Sequence, residues 1–139
     1  MKAYVLGFAF DDVGRVVLMR KNRPDWQKGR WNGVGGLIEG GETPQVAMAR
    51  EFKEETGVDV HPAHWTKIGN MVGTVGWFVH VYTTKGVAVR DCHTCTDEEV
   101  SHFVPWKLPE GMIPNLPAMI SIAQIAEGDE RPEFVFSYR

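Results

Sequence analysis

The chain has 139 residues, 43% of them hydrophobic and 24% charged, with a net charge of −3 at pH 7. That length favours one domain, residues 1–139, able to bury a core, and the mild acidity argues against a nucleic-acid polymer or a polybasic membrane anchor as partner. No apolar run approaches the roughly 20 residues that span a bilayer. MKAYVLGFAFDD reaches acid at Asp11 with no small-residue cleavage site, so the expectation is a first strand and a cytoplasmic protein.

Ala3–Phe10 is rich in strand formers, and DDVG at 11–14 reads as a turn into RVVLMR at 15–20, which predicts a β-hairpin. KNRPDWQKGR (21–30) is polar, contains Pro24 and Gly29, and reads as a surface loop. Trp31–Ile38 is a short, glycine-rich extended segment. The clearest helix follows. Thr43 is a good N-cap, Pro44 suits the first helical position, and Gly57 is the expected left-handed stop. His64–Tyr82 reads as two strands around Gly73. In WFVHVYTT (77–84) apolar and aromatic residues fill both alternations, which predicts a strand buried on both faces.

Cys92 and Cys95 in DCHTCTDEE offer at most half of a structural zinc site, and two reduced thiols in a polar loop is the better reading. EVSHFVPW (99–106) predicts a short strand ending at Pro105. Asn115–Glu127 predicts a second helix with Pro117 in its first turn and Gly128 after its end. FVFSY (134–138) is a candidate closing edge strand. Strands outnumber helices, which leads to an α+β or mixed α/β class.

On the first helix Glu51, Glu54 and Glu55 fall within roughly a 100° arc, while Met48, Ala49, Phe52 and Thr56 project from the other side. Charged clusters on helices are usually solvated faces. Here, however, the helix follows Gly35, Gly36, Gly40 and Gly41, whose tight turns expose backbone carbonyls. Three carboxylates and a carbonyl make an oxygen-rich site of the kind Mg²⁺ or Mn²⁺ requires.

The spacing Gly36, five residues, Glu42, seven residues, Arg50-Glu51-Phe52-Lys53-Glu54-Glu55-Thr56-Gly57-Val58 resembles the Nudix box, G-x5-E-x7-R-E-U-x-E-E-x-G-U, at every fixed position. Phe52 stands where Ile, Leu or Val is usual, a core position. GRWNGVGG (29–36) and residues 96–120 are similar to the corresponding parts of small MutT-like proteins. The resemblance implies the Nudix α/β/α sandwich, with helices flanking a mixed central sheet. It also implies divalent-metal-dependent hydrolysis of nucleoside diphosphate-X compounds, foremost (d)NTPs or oxidised dNTPs, to NMP and pyrophosphate. Other X-linked diphosphates, such as nucleotide sugars, dinucleoside polyphosphates or ADP-ribose, are the alternative.

By the same resemblance Glu51, Glu54 and Glu55 bind Mg²⁺ (or Mn²⁺) with the Gly35 carbonyl, and Arg50 and Glu42 orient them. Glu98 is the candidate for a further metal-binding or catalytic acid, with neighbouring Glu99 left open. The base that activates water is not assigned. Asn32 matches a base-reading position, an amide being able to offer both donor and acceptor. Arg20, Lys21 and Arg23 are candidates for the outer phosphates. Trp77 and Phe78 would stack on a base or sit in the core, and Trp106 would line the site or cap the core. Glu39 has no role. The implied partner is a small-molecule nucleotide, and the oligomeric state is left open.

Overall fold

The computed structural model describes residues 2–128, 131 and 133–139. Strand β1 (Lys2–Ala9) lies inside a five-stranded mixed sheet of order β4-β1-β6-β5-β8. The other strands of this sheet are β4 (Val34–Leu37), β5 (Thr66–Gly73), β6 (Trp77–Thr84) and β8 (Phe134–Tyr138). β1–β6 and β5–β8 are parallel, while β1–β4 and β5–β6 are antiparallel. The alternation along β1 sends Val5 and Ala9 into one core and Leu6 and Phe8 into the other.

The expected hairpin of residues 3–20 is corrected. The chain does turn at Asp11, whose Oδ1 accepts the N–H groups of Val13 and Arg15 at 3.1 and 2.9 Å. Only the single Phe10–Val16 bridge then joins the two arms. Both hydrogen-bonding edges of β1 are already occupied, by β4 and β6, so β2 (Val16–Arg20) has no edge to take. It pairs instead with β3 (Trp31–Asn32) and β7 (Glu99–Phe103) in a three-stranded antiparallel sheet. The extended segment 31–38 accordingly splits between the two sheets at Gly33. A Cβ there would lie 2.9 Å from the Gly7 carbonyl oxygen, so only glycine permits the crossing.

Helix α1 (Pro44–Thr56) begins and ends where capping predicts. Thr43 Oγ1 accepts the Val46 N–H at 3.3 Å, and Gly57, at φ 80°, donates to the Lys53 carbonyl at 2.9 Å. Its buried face is Ala47, Met48, Ala49, Phe52 and Thr56, and it packs on one side of the large sheet. Phe52 is fully buried in edge-on contact with Trp65, 5.3 Å between centroids, so the larger ring has a place made for it.

Helix α2 (Leu116–Ile125) covers the opposite side with Leu116, Met119, Ile120 and Ala123. It ends at Ile125, two residues short of the expected limit. Asn115 precedes it in the left-handed conformation at φ 69° and spends its amide on Tyr138 Oη at 3.0 Å rather than on the helix. The layers are therefore helix, mixed sheet, helix, as the α/β/α expectation requires. β8 is the edge strand anticipated, whereas β6 is buried on both faces only from Val81 to Thr84.

Candidate active site

The glycine turn and the acidic helix meet at Arg50. Its guanidinium grips Glu42 with two bonds, Nε to Oε2 at 2.6 Å and Nη2 to Oε1 at 2.9 Å. Nη1 reaches Glu51 Oε1 at 3.0 Å and Glu54 Oε2 at 3.2 Å, and Nη2 donates to the Leu37 carbonyl at 3.0 Å. Glu39 also approaches, at 3.7 Å with its side chain exposed, and its backbone N–H donates to Glu42 Oε1. The Arg50 hydrogen bonds hold Glu42 below the usual glutamate value, and the same contact pushes Arg50 further up.

Glu51 lies directly over Gly36, where a Cβ would come within 2.5 Å of its Oε1. Burial raises the Glu51 pKa above the usual 4.5 against the pull of Arg50, and the charges of Glu54 and Glu55 add to the rise. β4 is an edge strand, and Ile38 donates to the Ala3 carbonyl at 2.9 Å. The alternation of an antiparallel ladder then turns the Gly35 and Leu37 carbonyls away from β1, and the Leu37 carbonyl meets Arg50 there.

A second group of residues converges at Glu55. Thr96 Oγ1 donates to Glu55 Oε2 at 2.9 Å and accepts the Glu98 N–H at 3.2 Å. Glu98, only 4% exposed, receives Lys21 Nζ on Oε1 at 3.1 Å and the Asn22 N–H on Oε2 at 2.6 Å. Arg23 stands 3.8 Å away and also pairs with Asp97. Burial raises the Glu55 pKa, the nearby Glu98 and Glu54 charges reinforce it, and Thr96 and Lys21 oppose it. Glu98 thus points into the group while Glu99 turns to solvent against Arg20 at 3.9 Å.

Arg20, Asn22, Lys28, Gly29, Asp97 and Glu99 line an open cleft of about 300 Å³ beside this group. Asn32 is buried, with Oδ1 on the Gly33 N–H at 2.8 Å and Nδ2 on Gln27 Oε1 at 3.2 Å. Trp77 is not brought to the glutamates. It belongs to the α2-side core, 5.7 Å from Tyr138 between ring centroids. Phe78 is half-buried in edge contact with His80. Trp106 is 80% exposed and does not cap the core.

Cys92 departs from the expected polar loop. It packs half-buried on the α1-side core, where burial pushes its thiol up to about 11, whereas Cys95 is exposed and both are free. Among the described residues no three His, Cys, Asp or Glu side chains stand close enough to enclose a metal ion. Thr96, Asn22 and Gln27 were missed by sequence reasoning, and nothing in their local pattern distinguishes them.

The layered fold is that of MutT-like proteins. A NUDIX hydrolase from Nitrosomonas europaea superposes with a TM-score of 0.77 at 16% identity, over 99% of this chain and 79% of that one. A MutT NUDIX hydrolase from Burkholderia pseudomallei gives 0.73 at 20% identity, over 90% and 98%. The NUDIX domain model matches residues 2–121, and the chain belongs to that family. Among curated relatives, the oxidized purine nucleoside triphosphate hydrolase of Danio rerio is 47% identical over 58 residues, which is 42% of this chain. The aligned segment spans 35% of that relative's own length. Among the described residues no helix is long and apolar enough to cross a membrane.

Proposed function

We propose that this chain is a divalent-metal-dependent hydrolase of nucleoside diphosphate-X compounds, acting on nucleoside triphosphates, oxidised purine forms included, to give a nucleoside monophosphate and pyrophosphate. The observation that carries the reading is the meeting of two acidic groups on one helix: Arg50 gathers Glu42, Glu51 and Glu54, and Thr96 ties Glu55 to the loop of Glu98. The name of the Danio rerio relative supports the choice of triphosphate.

Glu51, Glu54, Glu55, Glu98 and the Gly35 carbonyl would hold Mg²⁺, with Mn²⁺ as a substitute, the ion drawing together side chains that stand too far apart to enclose it in its absence. The donors are all oxygens, as hard cations require. Burial and mutual repulsion raise the Glu51 and Glu55 pKa values, a cost that a cation relieves. Bound there, the ion would neutralise phosphate charge and acidify the attacking water.

The remaining roles fall to the chain itself. Arg50, locked by Glu42 and the Leu37 carbonyl, fixes the direction of Glu51 and Glu54. The base that accepts the proton of water is one of these acids or a neighbouring carboxylate that the ion leaves free. Arg20 and Arg23 carry exposed positive charge for the outer phosphates, and Lys21, secluded against Glu98, is the third candidate. Asn32 keeps one amide hydrogen and one lone pair beyond its two bonds for a base edge.

The test is a ³¹P NMR screen of nucleoside triphosphates, oxidised purine triphosphates, nucleotide sugars, dinucleoside polyphosphates and ADP-ribose with Mg²⁺ or Mn²⁺. Pyrophosphate release is the expected result. A sugar phosphate product would move the assignment to another X-linked diphosphate, and no turnover of any of them would refute the hydrolase reading.

A further inference from the structure

We propose that Lys21 is a tethered competitor of the divalent ion: its ammonium neutralises Glu98, must leave before Glu98 can serve an ion shared with Glu55, and on leaving is free for a substrate phosphate. This rests on the reading above that Glu55 and Glu98 belong to the ion site.

The geometry separates the two oxygens of Glu98. Oε2 is held by a backbone group, the Asn22 N–H at 2.6 Å, whereas Oε1 is held by the mobile end of a long side chain, Lys21 Nζ at 3.1 Å. Exchanging ammonium for an ion at Oε1 therefore leaves the Asn22 bond in place, and the carboxylate need not move. The Lys21 backbone stays fixed as well, its N–H donating to the Arg30 carbonyl at 2.8 Å and its carbonyl accepting the Gly29 N–H at 2.7 Å. The side chain can swing from a fixed base.

The pair is secluded, with side chains 15% and 5% exposed, so it is weakly screened by salt. The positive charge of Lys21 also reaches Glu55. One monovalent ammonium thus attends two carboxylates, the task a divalent ion performs with twice the charge. Lysine suits a removable cation, being a point charge on a flexible stem, whereas Arg50 is pinned by a two-bond fork to Glu42. Arg23 Nη1 stands 3.8 Å from the same Oε1, beyond hydrogen-bond distance, and its guanidinium is held by Asp97, so Lys21 is the cation in direct contact with that oxygen.

The experiment measures Mn²⁺ binding directly, by electron paramagnetic resonance of free Mn²⁺ and by calorimetry, with no nucleotide present. Lys21→Met, which keeps the apolar stem, is expected to bind Mn²⁺ more tightly by on the order of tenfold, the worth of one charge-assisted hydrogen bond. Lys21→Arg is expected to bind no more tightly than the wild type. In Glu98→Gln the further change Lys21→Met is expected to tighten binding far less than in the wild type, because the direct competition has lost its object and only the weaker, longer-range effect of Lys21 on Glu55 remains. Lys21→Met should also show a larger rise in Tm with Mg²⁺ than the wild type, and a raised KM for the triphosphate.

Unchanged or weaker Mn²⁺ binding by Lys21→Met overturns the proposal while leaving the hydrolase reading intact. Absence of Mn²⁺ binding by the wild-type protein overturns both. Should the methionine variant fail to fold, Lys21→Gln carries the same expectation of tighter binding and the same refutation.

Discussion

Replacing Arg50 by methionine tests whether the acidic helix is organised by one guanidinium. The variant loses the two bonds to Glu42 and those to Glu51, Glu54 and the Leu37 carbonyl. Two of the carboxylates left behind are poorly hydrated, with side-chain exposures of 15% for Glu42 and 12% for Glu51. Breaking a buried pair by removing one partner costs about 3–5 kcal/mol, and the partial exposure of Arg50 favours the low end, about 3 kcal/mol. For a domain of this size that is a fall in Tm of roughly 10 °C. The pH dependence supplies a second signature. Glu42 is depressed by Arg50, so its contribution is complete above the unfolded value of 4.5 and is lost as pH falls through the lower folded value. The stability gap between wild type and Arg50→Met should therefore be full at pH 7 and narrow below pH 4.5. Urea unfolding at a series of pH values measures it. A gap under about 1 kcal/mol at pH 7 would place Arg50 among ordinary surface pairs and refute the organising role.

Gly36→Ala should change stability little, because the atoms its Cβ meets are the flexible end of Glu51, yet displacing that carboxylate should lower Mn²⁺ affinity by roughly tenfold or more; calorimetry decides. Phe52→Ala should cost about 3–5 kcal/mol in denaturant unfolding and leave Mn²⁺ affinity of the folded protein within a few-fold, since the ring contacts Trp65 and the core rather than the site. Glu51 and Glu55 have raised values, so without divalent ion their contribution to stability is greatest below the unfolded 4.5 and is lost as pH rises through the elevated folded values. Saturating Mg²⁺ should flatten that loss in thermal melts recorded between pH 4 and 8, and an unchanged slope would argue against an ion at these two residues. Glu98→Gln should cut turnover by orders of magnitude and Glu99→Gln only slightly, because the first side chain is buried beside Glu55 and the second faces solvent; equal effects would remove the distinction.

The first acidic group was legible because its logic is local. Glu51, Glu54 and Glu55 share a face by helical spacing, and Thr43, Pro44 and Gly57 mark the ends of that helix in the sequence itself. Glu42 and Arg50 are close enough in the chain for their spacing to carry information. The second group is built over distance. Thr96 meets Glu55 from 41 positions away and Asn22 meets Glu98 from 76, so neither leaves a local trace. The side to which Trp77 turns is equally hidden. Alternation says only that it faces opposite to Phe78, and the pairing of β6 between β1 and β5 decides which core receives it.

The misread hairpin and the open choice between Glu98 and Glu99 have one cause. Sequential strands usually pair, and on that rule β2 should lie against β1. Since β4 and β6 hold both edges of β1, β2 turns instead to β7, in a register that sets Arg20 opposite Glu99. Continuing that antiparallel register by one step sets Lys21 opposite Glu98, where the ammonium and carboxylate are found in contact at 3.1 Å. The one-residue choice between Glu98 and Glu99 is therefore a choice of register. A slip by one position would turn Glu99 toward Glu55 and Glu98 to solvent. The position of the acid beside the box helix is set by which edges β1 leaves open, a property of the whole sheet.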